Sequence, residues 1–256
     1  MKKKEACNMQ FQNKTVLISG GASGMGLLCG QCFARQGANV ALADINEQAL
    51  KEKTAEITAF GGNAAFAVCD VRDYAQVTAA CETAVSVFGA VDILINCAGG
   101  AETRVLNHHE EFIDMPISVY DWGIDVNLKG QFYFDHAAMK QMAKQKQGVI
   151  INIGSITGEE GCSANVAYST AKSGVMNGLT KSLARYGAQY NVRVVCVSPG
   201  PVLTRPGMAS MKTLQGRAAQ PQEVVDFILY LASDKAAFIT GTNHFIDGGR
   251  YAMERG

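Results

Sequence analysis

The chain has 256 residues, 48% of them hydrophobic and 18% charged, and its formal net charge is zero at pH 7. This length suits one α/β domain with a large core. The neutral charge, without a long basic block, argues against a nucleic-acid partner, and no apolar run approaches the ~18 residues of a membrane span. Residues 1–13, in which lysines and other polar residues dominate, are predicted as a flexible tail, and residues 14–256 as a single domain.

Eight cysteines are scattered through apolar segments. A chain with a core of this size needs no disulfide framework, so the cysteines favour a reducing environment and predict a cytoplasmic protein. Cys29 and Cys32 have the spacing of a redox motif. They fall inside a predicted helix rather than at its N-terminus, where a thiolate would be stabilised, and we interpret them as inert.

The first predicted strand, Thr15–Ser19, runs directly into a glycine-rich turn. Gly20, Gly24 and Gly26 precede apolar residues at helical spacing. In a strand–turn–helix unit, glycines let the backbone approach a pyrophosphate, and the N–H groups at the helix N-terminus stabilise the anion. The same spacing is also compatible with a plain tight connection.

The second predicted strand, Asn39–Asp44, favours the phosphate interpretation. It ends in Asp44, where a carboxylate can accept hydrogen bonds from both hydroxyls of an adenosine ribose. A 2'-phosphate would meet Asp44 as a like charge, and no lysine or arginine stands among residues 20–26 or just after Asp44. The pattern therefore predicts NAD rather than NADP.

Strands and helices alternate along the rest of the chain. This alternation predicts an α/β fold with a doubly wound, parallel, seven-stranded sheet and helices on both faces. The predicted strands are Thr15–Ser19, Asn39–Asp44, Ala64–Cys69, Val91–Ile95, Val149–Ile153, Val192–Val197 and Asn243–Ile246. Ligands collect at the carboxyl ends of such strands. The residues predicted to lie there are Gly20, Asp44, Asp70, Asn96, Ser155 and Pro199.

Tyr168 and Lys172 are four residues apart, so one helical turn places a phenol and an ammonium on the same face. A free tyrosine has a pKa of roughly 10, and a nearby cation lowers it. The pair is thus suited to proton transfer near neutral pH. Taken alone it would also fit an ordinary helix surface; the glycine turn and Asp44 favour the catalytic interpretation.

In combination these motifs resemble the short-chain dehydrogenase/reductase family, of the single-domain Rossmann type, from about Phe11 to the end. The motifs that carry the resemblance are Ser19-Gly20 with Gly24 and Gly26, Asp44, Asp70-Val71, Asn96-Cys97-Ala98-Gly99, Asn127, Ser155, Tyr168 with Lys172, and Pro199-Gly200 with Val202 and Thr204. Two positions depart from the family pattern. Ser19 replaces a threonine, and Cys97 replaces an asparagine.

The resemblance implies an NAD-dependent oxidoreductase that transfers a hydride between nicotinamide and a secondary alcohol or ketone. Tyr168 would be the general acid/base, and Ser155 would hydrogen-bond the substrate oxygen, unless it is only a strand-end cap. Lys172 would hold the nicotinamide ribose and lower the pKa of Tyr168. Asn127 would help to hold a water that links Lys172 to solvent, unless it is a helix-packing amide.

The resemblance also implies a cofactor-binding set and no metal. The set comprises Gly20, Ser23, Gly24, Met25, Gly26, Asp44, Asp70, Val71, Asn96, Ala98, Gly99, Tyr168, Lys172, Pro199, Gly200, Val202 and Thr204.

The segment after the fourth strand, residues 100–116, is longer than the family leads us to expect. It carries Glu102 and Arg104, followed by His108, His109, Glu110 and Glu111. Adjacent residues on an extended loop point apart, so we interpret the His-His-Glu-Glu run as solvated rather than metal-binding. Charge makes deep burial costly, and the segment is predicted to be a wet, substrate-selecting rim of the cleft.

Glu159 and Glu160, soon after Ser155, favour a small polar or polyhydroxylated substrate. The alternatives are a 3-oxoacyl (acyl-carrier-protein) or hydroxysteroid reductase, an NAD-binding regulator without catalysis, and a structural or nucleic-acid-binding protein on the same fold. The family also implies a homo-oligomer, most often a tetramer. Met176, Tyr186 and Tyr190 support it, because a single core-facing stripe of the predicted helix 165–190 does not absorb them.

Overall fold

In the computed structural model, which describes residues 9–253, seven parallel strands form one sheet in the order β3-β2-β1-β4-β5-β6-β7. The strands are β1 Thr15–Ser19, β2 Asn39–Asp44, β3 Asn63–Val68, β4 Ile93–Asn96, β5 Gly148–Ile153, β6 Val192–Pro199 and β7 Asn243–Ile246. The predicted doubly wound α/β class is confirmed. The strand order reverses between β1 and β4, so a crevice opens at the carboxyl ends of these strands.

Ten α-helices connect the strands in the described part of the chain. They are α1 Gly24–Arg35, α2 Glu47–Ala59, α3 Tyr74–Phe88, α4 Glu102–Leu106, α5 Ile117–Ile124, α6 Gly130–Gln145, α7 Thr157–Glu160, α8 Val166–Gly174, α9 Thr180–Gly187 and α10 Pro221–Ala232. No helix within residues 9–253 combines the length and the apolar character that crossing a membrane requires.

Strand β1 shows why helices cover both faces of the sheet. Its successive side chains point to opposite faces. Val16 and Ile18 pack in the core with Phe33 of α1, whereas Leu17 packs in a second core with Phe134 of α6. All five residues of β1 are buried, as expected for a central parallel strand.

The predicted bounds of β1, β2 and β7 match the structure, and those of the other strands differ by one or two residues. The start of β4 has a specific cause. The amide and carbonyl of Val91 bond to the side chain of Gln145, at 3.1 and 3.0 Å, rather than to a neighbouring strand. Backbone hydrogen bonds to the neighbouring strands therefore start only at Asp92, and β4 begins at Ile93, two residues after the predicted start.

Two long helical segments each contain a π-helical turn. Residues Asp125–Lys129 join α5 to α6, and Val175–Leu179 join α8 to α9. π-Turns of this kind are rare and often mark functional sites. The first one carries Asn127, a predicted catalytic residue.

The predicted tail over residues 1–13 needs a correction at its inner end, while residues 1–8 lie outside the described part. Phe11 is only 2% exposed, and its ring centroid lies 4.7 Å from that of Phe33. The Phe11 amide donates to the carbonyl of Gln36 at 3.0 Å. Burying this aromatic ring stabilises the segment although the residues around it are polar. The packed domain therefore begins before residue 14.

Candidate active site

The turn after β1 has the geometry of a phosphate cradle. Gly20 has a φ of 67°, and a Cβ there would lie 2.7 Å from the backbone nitrogen of Ala98. A Cβ at Gly26 would overlap the carbonyl oxygen of Gly20. Ser23 precedes α1 without capping it by its side chain, so the first amides of α1 have no side-chain cap. These amides and the helix dipole suit an anion, as predicted for the pyrophosphate.

Asp44 is held beside this turn. Its Oδ2 accepts a hydrogen bond from the Ala22 amide at 3.1 Å, and its Oδ1 accepts one from the Asn46 amide at 3.0 Å. Within residues 9–253, no lysine or arginine forms an ion pair with Asp44. No cationic partner is therefore present to offset the repulsion that a 2'-phosphate beside this carboxylate would meet.

Asp70 differs from Asp44 because it has a cationic partner. Arg72 Nη2 lies 2.6 Å from Asp70 Oδ2, and the hydrogen bonds from Arg72 lower the pKa of Asp70. Val71, the next predicted cofactor residue, is 9% exposed. Its Cγ2 approaches Gly130 so closely that a Cβ on that glycine would lie 2.6 Å away.

The predicted catalytic side chains meet at the carboxyl end of β5. Tyr168 and Lys172 lie on α8, and Lys172 Nζ is 5.6 Å from the centre of the Tyr168 ring. Lys172 is 3% exposed, and its Nζ donates to the carbonyl of Ile153 at 2.7 Å. Ser155 hydrogen-bonds Tyr168, and it also accepts from the Thr157 amide at 3.1 Å. Ser155 thus makes a cap-like hydrogen bond at the end of β5 and also contacts the phenol, while its hydrogen bond to a substrate oxygen stays a prediction.

The pKa of Tyr168 shifts opposite to the sequence prediction. Burial raises it, and the groups that lower it are Ser155, Arg205 and Arg104 rather than Lys172. Burial also lowers the pKa of Lys172, to about 8. Along the chain, Lys172 is the nearby cation that spacing places beside Tyr168. In the structure, the pKa of Tyr168 depends instead on desolvation and on two arginines from distant segments.

Glu102 is buried in the site, whereas the sequence predicted it at the solvated rim of the cleft. It is 0% exposed, and its two carboxylate oxygens accept from the amides of Ala167 and Tyr168 at 2.9 and 3.0 Å. Asn165, which precedes α8, makes no side-chain cap of its own. Glu102 therefore caps α8 from a distance, and these hydrogen bonds offset the cost of burying its charge. No local pattern links positions so far apart in sequence.

Asn127 clamps the loop after β4. Its Nδ2 donates to the carbonyls of Gly100 and Gly123, both at 2.9 Å, and its Oδ1 accepts from the Gly100 amide at 2.9 Å. Gly99 has a φ of 153°, and a Cβ there would lie 2.5 Å from Asn127 Oδ1 and 3.5 Å from Lys172 Nζ. Glycine is thus required where the loop passes the catalytic side chains. The water link through Asn127 stays a prediction.

The side chain of Asn96 faces the interior rather than the cavity, and a contact of this residue with the cofactor stays a prediction. It is 0% exposed, donates to Asp135 Oδ1 at 2.7 Å and to Asn152 Oδ1 at 2.8 Å, and accepts from the Ser19 hydroxyl. Burial raises the pKa of Asp135 to about 7, and its two asparagine donors oppose that shift. This network ties β1, β4, β5 and α6 together beneath the site.

Cys97, which stands where the family pattern has an asparagine, contacts a second cysteine. Its thiol contacts the fully buried Cys29, and this hydrogen bond, followed by burial, raises the pKa of Cys29 well above its ordinary value. Cys29 is thus an unreactive thiol, as predicted. Cys97 lines the active-site cavity, where the family asparagine is expected.

A cavity of about 310 Å³ lies between the catalytic side chains and several of the predicted cofactor residues. Its walls include Ser155, Tyr168 and Lys172, and, of the predicted cofactor residues, also Met25, Gly99, Pro199, Gly200, Val202 and Thr204. Asp44, Asp70 and the three glycines Gly20, Gly24 and Gly26 do not line it. A second cavity, about 380 Å³, contains Lys14, Asp92 and Arg193 and none of the predicted site residues.

The segment 100–116 only partly follows its prediction. Residues 102–106 form α4, and Thr103 Oγ1 donates to Asn165 Oδ1 at 2.6 Å, which docks α4 on the start of α8. The stretch 108–111 lies on the surface, where His108 Nδ1 is 3.0 Å from Glu110 Oε1. Glu159 and Glu160, on which the expectation of a polar substrate rested, are not among the residues lining the cavity.

Comparisons with known proteins agree with this geometry. A family model described as enoyl-(acyl carrier protein) reductase matches residues 20–250. The trans-4-hydroxycyclohexanecarboxylate dehydrogenase of Sinomonas cyclohexanicum is 42% identical over 93% of both chains. The cyclohexanol dehydrogenase of an Acinetobacter species is 36% identical over 93% of this chain and 95% of its own. A crystal structure of a 3-oxoacyl-(acyl-carrier protein) reductase with bound NAD from Brucella melitensis has a TM-score of 0.87 at 30% identity, covering 97% of this chain and 94% of its own.

Proposed function

Because the chain belongs to the short-chain dehydrogenase/reductase family, we propose that it is an NAD-dependent dehydrogenase of secondary alcohols on a saturated ring. The observation that carries this proposal is the meeting of Ser155, Tyr168 and Lys172 at one cavity beside the glycine turn. The choice of a ring alcohol is supported by the relatives that act on cyclohexanol and on trans-4-hydroxycyclohexanecarboxylate.

The residues present fit NAD. Gly20 and Gly26 leave space that a Cβ would fill, and the amides at the start of α1 face an anion site. Asp44 supplies two carboxylate oxygens for ribose hydroxyls and repels a 2'-phosphate. NAD, when bound, accepts the hydride that leaves the carbinol carbon.

In the proposed mechanism, Tyr168 reacts as the phenolate, whose oxygen takes the proton of the substrate hydroxyl and becomes the phenol. Ser155 donates a hydrogen bond to the substrate oxygen and helps to orient it. Lys172, held at the carbonyl of Ile153, places a positive charge under the site and is positioned to bind the nicotinamide ribose. The clamp of Asn127 on Gly100 keeps the loop after β4 in place during this transfer.

The proposal is tested with a panel of alcohols and NAD, in which NADH formation is followed by absorbance. The panel contains cyclohexanol, trans-4-hydroxycyclohexanecarboxylate, a linear polyol and a 3-hydroxyacyl thioester. We expect the ring alcohols to have the highest kcat/KM. Turnover of the polyol alone would contradict the proposal.

A 3-oxoacyl reductase is the second candidate function, because a structural relative carries that name at a TM-score of 0.87. Preference for the thioester over every ring alcohol would favour it.

We also propose a homotetramer in the cytoplasm. Ile117, Phe132 and Tyr186 are 71%, 50% and 52% exposed, and apolar side chains of this kind favour association. Met176, which the sequence assigned to the interface, is 1% exposed and belongs to the core. The seven cysteines within residues 9–253 are free, in keeping with a reducing compartment. Light scattering at micromolar concentration tests the tetramer, and a monomer mass would contradict it; cell fractionation tests the compartment.

A further inference from the structure

The charges lining the active-site cavity are all positive. Arg104, Lys172 and Arg205 line it, and no aspartate or glutamate does so among the described residues. The whole chain has equal numbers of acidic and basic side chains, 23 of each, so composition does not explain the excess. A cavity with such a lining attracts an anion.

The chemistry of hydride transfer accounts for Lys172 but for neither arginine. Lys172 is buried and bonded to the carbonyl of Ile153. Arg104 comes from α4, and Arg205 follows Thr204 about a hundred positions further along the chain. Both side chains nevertheless line the same cavity, although each is exposed to solvent. Partial burial and then the charge of Arg205 lower the pKa of Arg104, and both arginines oppose the rise in the pKa of Tyr168.

Neither arginine forms an ion pair or a side-chain hydrogen bond with any residue in the range 9–253. Three other arginines of this range have carboxylate partners, whereas the exposed Arg185 has none. Arg72, Arg217 and Arg250 each pair with a carboxylate at 2.6 to 2.9 Å. Two guanidinium groups held near each other without a counter-ion repel, and a bound anion removes that repulsion.

Glu102, on the same helix as Arg104, and Glu160, on α7, both have other partners. Both oxygens of Glu102 accept backbone amides of α8, and Glu160 lies 2.9 Å from Nε of Arg250. Arg104 itself lies against the backbone of the loop after β4: a Cβ at Gly100 would be 2.7 Å from its Nη2. Glycine at this position leaves room for the guanidinium at the cavity wall.

We propose that Arg104 and Arg205 form an anion subsite, and that the preferred substrate is a ring alcohol bearing a carboxylate at the end remote from its hydroxyl. The proposal rests on the proposed function and names its substrate class. A guanidinium presents donors in a planar fork that matches a carboxylate. With the hydroxyl at Tyr168 and the carboxylate at the arginines, the substrate is anchored at both ends in a cavity of about 310 Å³.

The test compares trans-4-hydroxycyclohexanecarboxylate with its carboxamide, which has the same ring and hydroxyl but no charge. We expect the wild-type protein to prefer the acid by at least about tenfold in kcat/KM. Arg104→Gln and Arg205→Gln should each lower the acid-to-amide ratio by about tenfold or more, because each removes one charged partner. Arg185→Gln, which removes an exposed arginine outside the cavity lining, is the matched control and should leave the ratio unchanged.

Two outcomes would overturn the subsite. One is a wild-type preference for the amide. The other is an equal fall for acid and amide in the variants, which would mean that the arginines act only through the pKa of Tyr168. Binding of cyclohexanecarboxylate, which has no hydroxyl to oxidise, is measured by calorimetry in the presence of NADH. Binding that weakens in both arginine variants supports the subsite even if no alcohol turns over, whereas absence of all turnover contradicts the proposed function alone.

Discussion

Replacing Glu102 by glutamine should destabilise the protein, although glutamine has nearly the same shape. Both carboxylate oxygens accept backbone amides at the start of α8, and the residue is 0% exposed. A glutamine oxygen can keep one of these hydrogen bonds, but its NH₂ group would face the other amide. The loss of one charge-assisted hydrogen bond, about 1.5–3 kcal/mol, and of the charge at the helix N-terminus gives an expected cost of about 2–4 kcal/mol.

The cost is measured by urea unfolding, with Glu111→Gln as a control in the same segment. Glu111 is exposed, so its replacement should change the free energy of unfolding by less than about 0.5 kcal/mol. Because one of the capped amides belongs to Tyr168, Glu102→Gln should also lower kcat. A variant with wild-type stability would refute the capping argument, since the buried carboxylate would then be dispensable.

Three further predictions concern the cofactor, pH and the segment after β4. Asp44 should make NADH bind about a hundredfold more tightly than NADPH, and Asp44→Ala should reduce this ratio to below about tenfold in fluorescence titrations; equal wild-type affinities would contradict the assignment. The folded pKa of Asp135 is raised from 3.8 to about 7, so its stabilising contribution is present at low pH and is lost as pH rises through 7. The unfolding free energy of wild type relative to Asp135→Asn should therefore fall by about 2–3 kcal/mol from pH 5 to pH 8, and a pH-independent difference would exclude this titration. Deleting residues 108–111, which lie on the surface, should change KM or substrate preference but not NAD affinity or Tm; unchanged kinetics or an unfolded protein would show that the segment does not select substrate.

The parts of the site that sequence predicted are those set by short spacing. The glycine turn after β1 and the Tyr168–Lys172 pair each lie within a few residues, so periodicity and residue type suffice to place them. Asp44 follows in the same way from the end of a buried strand. The resemblance to a family extended these positions to Ser155 and the residues after Pro199.

The features that sequence did not predict depend on contacts between distant segments. Glu102 is buried because the amides of α8 satisfy it, and nothing in its neighbourhood along the chain shows that. Contacts between distant segments also bring Arg104 and Arg205 to one cavity and set the direction of the pKa shift of Tyr168, so neither feature was predicted. The hydrogen bond from the Asn96 side chain to Asp135, 39 positions away, was likewise not predicted.

The most direct test of the central claim is the turnover of Tyr168→Phe, measured together with its affinity for NADH. The substitution removes only the hydroxyl that the mechanism uses to take the substrate proton. We expect kcat for the best ring alcohol to fall by about a hundredfold or more, with the Kd for NADH within about twofold of wild type. A variant that keeps more than about a tenth of wild-type activity would contradict the assignment of Tyr168 as the acid/base, and with it the proposed mechanism.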